Sequence, residues 1–228
     1  MTTWIKVARA QLVGGFSTFA YPWIILGLNF IIANVVNAAT GGPKNGHSGE
    51  VAAIYAAFLA MGVLSVVRGL PFGLAIGISR RSYFMGVTIL ALALSVVDGL
   101  LLTLLQGLES ATNGWGDGLH FFRVPYILPG PWYLTWLTSF VLLAVCFVWG
   151  MWFGIVFKRW NLFGLMTFII IQVLALSAGI AIATTAHAWT SIGHFFETLS
   201  VTGLTGLLAV LGLFLFAGGL ATIRLVTV

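Results

Sequence analysis

Long apolar runs broken by short polar punctuation set the plan of this chain. The runs fall at 17–39, 51–67, 84–106, 132–157, 162–186 and 204–223, each about the length that crosses a bilayer core as a helix. Between them lie the Gly, Pro, Asn and charged residues typical of loops. No stretch alternates apolar and polar residues with the period of a strand, so a transmembrane barrel is not expected. The pattern predicts an all-α integral membrane protein with six transmembrane helices, forming a single domain over residues 1–228.

Shorter patterns fill in the edges. Trp4, Ile5, Ala8 and Leu12 share one face of a helical wheel, with Lys6 and Arg9 toward the other, and Thr2 or Thr3 can cap it. Residues 2–14 therefore read as a helix lying in the membrane interface before the chain turns up at Gly14 and Gly15. No apolar core followed by a small-residue cleavage site opens the sequence, so no removable signal is expected. The segment 187–203 is too polar to span and too apolar for a free loop, which predicts a short interfacial or re-entrant helix before the last span. The loop 107–131 is long and rich in Gly, Pro and aromatics, and Trp132, Tyr133 and Trp136 follow it as an aromatic belt would. Its stretch 121–136 suits either a cap on a path or a seal on the bundle.

Composition agrees with this plan. Hydrophobic residues make up 60% of the 228, and charged residues only 7%, against roughly 25% in soluble domains. So few charges cannot face water all round, and the solvent must largely be lipid. The net charge of +5 is scattered in pairs between apolar runs, which is topological information and gives no nucleic-acid surface. With six spans both termini share a side. Placing that side in the cytoplasm puts Lys6, Arg9, Arg68, Arg80, Arg81, Lys158, Arg159 and Arg224 inside and only Lys44 and Arg123 outside. The acids Glu50, Glu109, Asp117 and Glu197 then fall outside, and Asp98 within a span. This asymmetry predicts an N-in, C-in protein. The tight turn at 158–161 makes the fourth and fifth spans an antiparallel hairpin. Cys146, the single cysteine, excludes an intrachain disulfide.

The stretch VVRGLPFGLAIGISRRSYFMG at 66–86 carries the functional signal. Residues 51–67 can cross without a charge, Arg68 marks the boundary, and Pro71 can break or restart a helix. The apolar piece 72–78 ending in Ser79, Arg80 and Arg81 then predicts a separate short helix that plugs into a groove on a soluble partner. The alternative runs the second helix straight through from 51 to 78. Gly-Ile-Ser-Arg-Arg-Ser-Tyr-Phe-Met-Gly entering a span resembles the cytoplasmic loop of small bacterial ABC-2-type transporter permeases. The interfacial N-terminal helix and the six-span plan are similar too, although the motif itself covers only about twenty residues. The resemblance implies a permease of the bacterial plasma membrane that pairs with a second copy or a paralogue and binds cytoplasmic ATPases to drive export. It maps the coupling segment onto 71–83, with contacts from Phe72, Leu74, Ile76, Ile78, Ser79, Arg80, Arg81 and Tyr83. No Walker A pattern is present, since GGPKNGHS near 41–48 has the wrong spacing. ATP and Mg²⁺ would thus belong to the partner, and no catalysis is expected in this chain.

Other polar residues offer alternatives. Asp98, midway along the third span, is by default a functional-site candidate as a proton relay, cation site or buried ion pair. It would serve a stand-alone ion- or proton-coupled carrier, and a non-transporting sensor or assembly protein is a third reading. Gln172, Thr184 and Thr185 are plausible polar lining of a path. His187, His194 and Glu197 can share a helical face, yet interfacial residues without a ligand describe them better, and no metal is expected. Gly150-x-x-x-Gly154 and Gly73-x-x-x-Gly77 permit close helix approach, but among 28 glycines such spacings arise by chance.

Overall fold

The computed structural model describes residues 16–40, 51–115, 121–122, 131–198 and 200–223. The interfacial helix expected at 2–14, most of the loop 107–131, and Lys6, Arg9, Lys44, Arg123 and Arg224 lie outside the described residues or at their margins. Helix α1 is Phe16–Thr40. Helix α2, Ala52–Leu64, runs through a π-helical turn, Ser65–Gly69, into α3, Leu70–Ala75. Helix α4 is Arg80–Ala111. The helical stretch Trp132–Thr185 is interrupted at Asn161, whose φ of 55° and ψ of −155° are not helical; its halves are α5 (132–160) and α6 (162–185). Helix α7 is Trp189–Thr198 and α8 is Val201–Thr222.

Counting Trp132–Thr185 as one, five helices among the described residues are long and apolar enough to cross a membrane, the architecture of a multi-pass membrane protein. The longest, at 54 residues, would be about 80 Å if straight, far beyond the roughly 30 Å hydrocarbon core. It is not straight. The rings of Phe153 and Phe168 meet edge to face at 5.3 Å, whereas fifteen residues of continuous helix would hold them about 22 Å apart. The chain therefore folds back at Asn161.

Packing fixes the helix directions. Trp23 bonds to Asp98, and Phe30 shares a cleft with Leu105, so α1 and α4 run parallel. On α2 and α5, Gly62 faces Gly150 and Val66 faces Gly154, again parallel. Thr138 meets Thr205 and Val145 faces Gly212, so α8 also runs parallel to α5. Thr88 touches Met151 while Gly99 faces Phe140, which makes α4 antiparallel to α5. Directions thus alternate along the chain from α1 to α2 with α3, α4, α5, α6 and α8.

The tightest seam joins α2 to α5. A Cβ built on Gly62 would collide with the carbonyl of Phe147, and one on Gly150 with the carbonyl of Leu59. One on Gly154 would lie 2.7 Å from Val66 Cβ. Lipid gives no hydrophobic drive for helices to associate, so close backbone approach and the dispersion it brings hold such a seam. The Gly150-x-x-x-Gly154 spacing, uninformative in the sequence, is the contact surface here. Around it pack Ile54, Phe58, Phe84, Leu143 and Met151. On α6 and α8, by contrast, most apolar side chains are exposed, as helices at a lipid-facing periphery are.

One expectation is corrected. No separate helix begins at Pro71: Ala52–Ala75 is continuous. Proline removes one backbone donor and crowds the carbonyl four residues back. The π turn directly before it widens the helix there, and the helix passes Pro71 without ending. Arg68 sits exposed on that turn, so the continuous helix does not bury its charge.

Candidate functional site

The segment 71–83 is a tightly specified helix–turn–helix tip. Helix α3 stops by a Schellman arrangement: Ile78 N–H donates to the Gly73 carbonyl and Gly77 N–H to that of Leu74, each at 3.0 Å. Gly77 supplies the positive φ of 82° the motif requires. Two residues later Ser79 caps α4, its Oγ accepting from Ser82 N–H at 3.2 Å and donating to Ser82 Oγ at 2.9 Å. The Gly-Ile-Ser motif is thus a stop, a turn and a start in consecutive residues.

The tip presents two kinds of side chain. Phe72 on α3 and Ile76 at its C-cap, one turn apart, are 68% and 57% exposed. Leu74 and Ile78 are half-buried, while Ser79 and Arg81 are exposed and Arg80 is partly covered. Tyr83 is the exception. It is buried, its ring fills the space above Gly73, and its hydroxyl donates to the Ser65 carbonyl in the π turn at 2.8 Å. It braces the tip from behind and presents no surface to a partner. Arg80 and Arg81 open α4 level with the end of α5, since Thr88 meets Met151 across the antiparallel pair. Among the described residues every lysine and arginine, namely Arg68, Arg80, Arg81, Lys158 and Arg159, therefore lies at one end of the bundle.

Asp98 lies deep between α1 and α4, 1% exposed, and Oδ1 accepts from the Trp23 indole N–H at 2.8 Å. No sequence pattern singles out Trp23. Glu109, assigned from sequence to the outer loop, instead closes the last turns of α4 with 0% exposure. Its Oε2 accepts from the backbone N–H groups of Phe121 at 2.9 Å and Phe122 at 2.7 Å, and from the Trp115 indole at 3.4 Å. Phe30 packs on Trp115, Phe121 and Phe122 beside it. This carboxylate is a loop anchor, and a Glu between Leu108 and Ser110 at a helix end gives no sign of it.

Gln172 is half-buried, while Thr184 and Thr185 are exposed on α6 with hydroxyls donating back to the carbonyls of Ile180 and Ala181. Among the described residues no three His, Cys, Asp or Glu side chains gather as metal ligands; His47, His120 and the Glu197 side chain lie outside them. No protein-family model, curated protein or solved structure matches this chain.

Proposed function

We propose that this chain is the membrane-spanning permease subunit of an ATP-driven ABC-type exporter in a bacterial plasma membrane, docking a separate cytoplasmic ATPase through its 71–83 tip. The observation that carries the reading is the exposed pair Phe72 and Ile76, held on a doubly capped turn beside Arg81 at the cation-rich end. An apolar knob on a rigid mount, rimmed by positive charge, suits a groove on a soluble partner, and such anchors dominate interface energetics. Counting α5 and α6 separately gives six crossings. The alternating directions support a start of α1 and an end of α8 both on the cation-rich side, which the positive-inside rule assigns to the cytoplasm. The permease works with a second copy or a paralogue, and ATP and Mg²⁺ sit on the ATPase.

The test is to purify the tagged full chain from its native membrane in mild detergent and identify what accompanies it. A stoichiometric protein with a Walker A motif is expected, and Phe72→Ala with Ile76→Ser should release it while the chain stays in the membrane. Absence of any ATPase, also after extraction into lipid nanodiscs, overturns the reading.

A further inference from the structure

At the cation-rich end the α5–α6 hairpin encloses a cleft of about 540 Å³ lined by Val156, Trp160, Phe163, Gly164, Phe168 and Ile171, with Thr167 beside them. Its one hydroxyl is already engaged, Thr167 Oγ1 donating to the Phe163 carbonyl at 2.9 Å. Gly164 lets the Trp160 side chain lie against the α6 backbone: a Cβ there would collide with Trp160 Cβ and stand 3.1 Å from its Cγ. Phe168, braced on Phe153 at 5.3 Å, closes the far side. At the mouth, the Arg159 guanidinium stacks 4.8 Å from the centre of the Trp160 ring. A single wall residue thus joins the apolar slot to a fixed positive charge, at the level where the other described cations cluster.

We propose that this hairpin holds one anionic phospholipid, its phosphate on Arg159 and an acyl chain in the cleft. Charge complementarity selects the occupant. A neutral lipid fills the slot but leaves the guanidinium without an anion, and a free anion satisfies Arg159 but leaves the slot open. Only an amphiphile with a negative head and an apolar tail matches both. Trp160 sits where an indole belongs, between headgroup and hydrocarbon, and Arg159 keeps its stacked pose while its outer edge bonds phosphate. The inference requires only that the hairpin sits in a bilayer. It does not rest on the exporter reading.

The test uses the full chain, purified in detergent and titrated with dioleoylphosphatidylglycerol or dioleoylphosphatidylcholine, the retained lipid being counted by native mass spectrometry. The wild type should keep one phosphatidylglycerol in preference to phosphatidylcholine by roughly fivefold, the scale of one basic residue at an anionic surface. Arg159→Gln should bring that ratio close to one, and Arg68→Gln, at the same end but away from the cleft, should leave it unchanged. Gly164→Leu should displace Trp160 and lower retention of both lipids. Arg159→Lys keeps the charge and loses the stacking, so an intermediate ratio is expected even if the Gln variant fails to fold. Equal retention of both lipids by the wild type overturns the proposal. So does an Arg68→Gln loss as large as that of Arg159→Gln, or displacement of the lipid by glycerol 3-phosphate alone.

Discussion

A carboxylate buried in a bundle is expensive unless something bonds to it, and Asp98 and Glu109 meet that demand differently. Asp98 has the Trp23 indole at 2.8 Å, joining α1 to α4 about midway along α4. Asparagine keeps an oxygen able to accept that bond, so Asp98→Asn should lower thermal stability in detergent less than loss of the indole donor does. Trp23→Phe withdraws the donor from a group with no access to water and should cost about 1–3 kcal/mol, read as a lower unfolding midpoint. If transport survives Asp98→Asn, the carboxyl is structural; if a stably folded Asn variant is inactive, an ion-coupled carrier becomes the better reading. Asp98 stands out in the sequence because it interrupts an apolar run, whereas Trp23 is one of nine tryptophans with nothing to mark it. Glu109 was invisible for another reason. Its two shortest bonds come from backbone groups twelve and thirteen residues on, which no side-chain pattern announces.

At the level of elements, glycine decides which helices touch. The α2–α5 seam brings backbone against backbone at Gly62, Gly150 and Gly154, so Gly150→Leu should force the pair apart and destabilise the protein by about 1–3 kcal/mol. Gly179→Ala, on α6 with nothing within 4 Å, should not destabilise it, and a thermal-shift series with both variants checks the contrast. The existence of the helices was legible in the apolar runs, because run length and lipid thickness are matched quantities. Their partners were not. Gly62 and Gly150 lie 88 residues apart, and small residues are common along every span, so spacing alone could not pair them. The turn at 77–79 was legible in place but not in form. Pro71 pointed to a restart of the helix, and the π turn at Ser65–Gly69, which has no sequence signature, made that restart unnecessary.

For the whole molecule, the described cations sit at one end and Glu109 with its aromatic cluster at the other. In a Cys146→Ser background, Arg81→Cys should react with an impermeant maleimide only from the cytoplasmic face and Ser110→Cys only from the opposite one. Labelling of both from one face would refute the proposed crossing pattern. The gathering of the described cations at one end was readable from the sequence because each of them lies just beyond an apolar run. The exposed position of α6 was not, since its residues are as apolar as those of the buried α5.

The continuity of Ala52–Ala75 has a mechanical consequence. Gly62, where this helix bears directly on the α5 backbone, stands ten residues from Ala52 and ten from Phe72, about 15 Å either way. A sideways push at Phe72 is therefore carried along one stiff rod into the α2–α5 seam and toward the Ala52 end, at the opposite end of the bundle, less whatever the π turn absorbs by flexing and the seam resists.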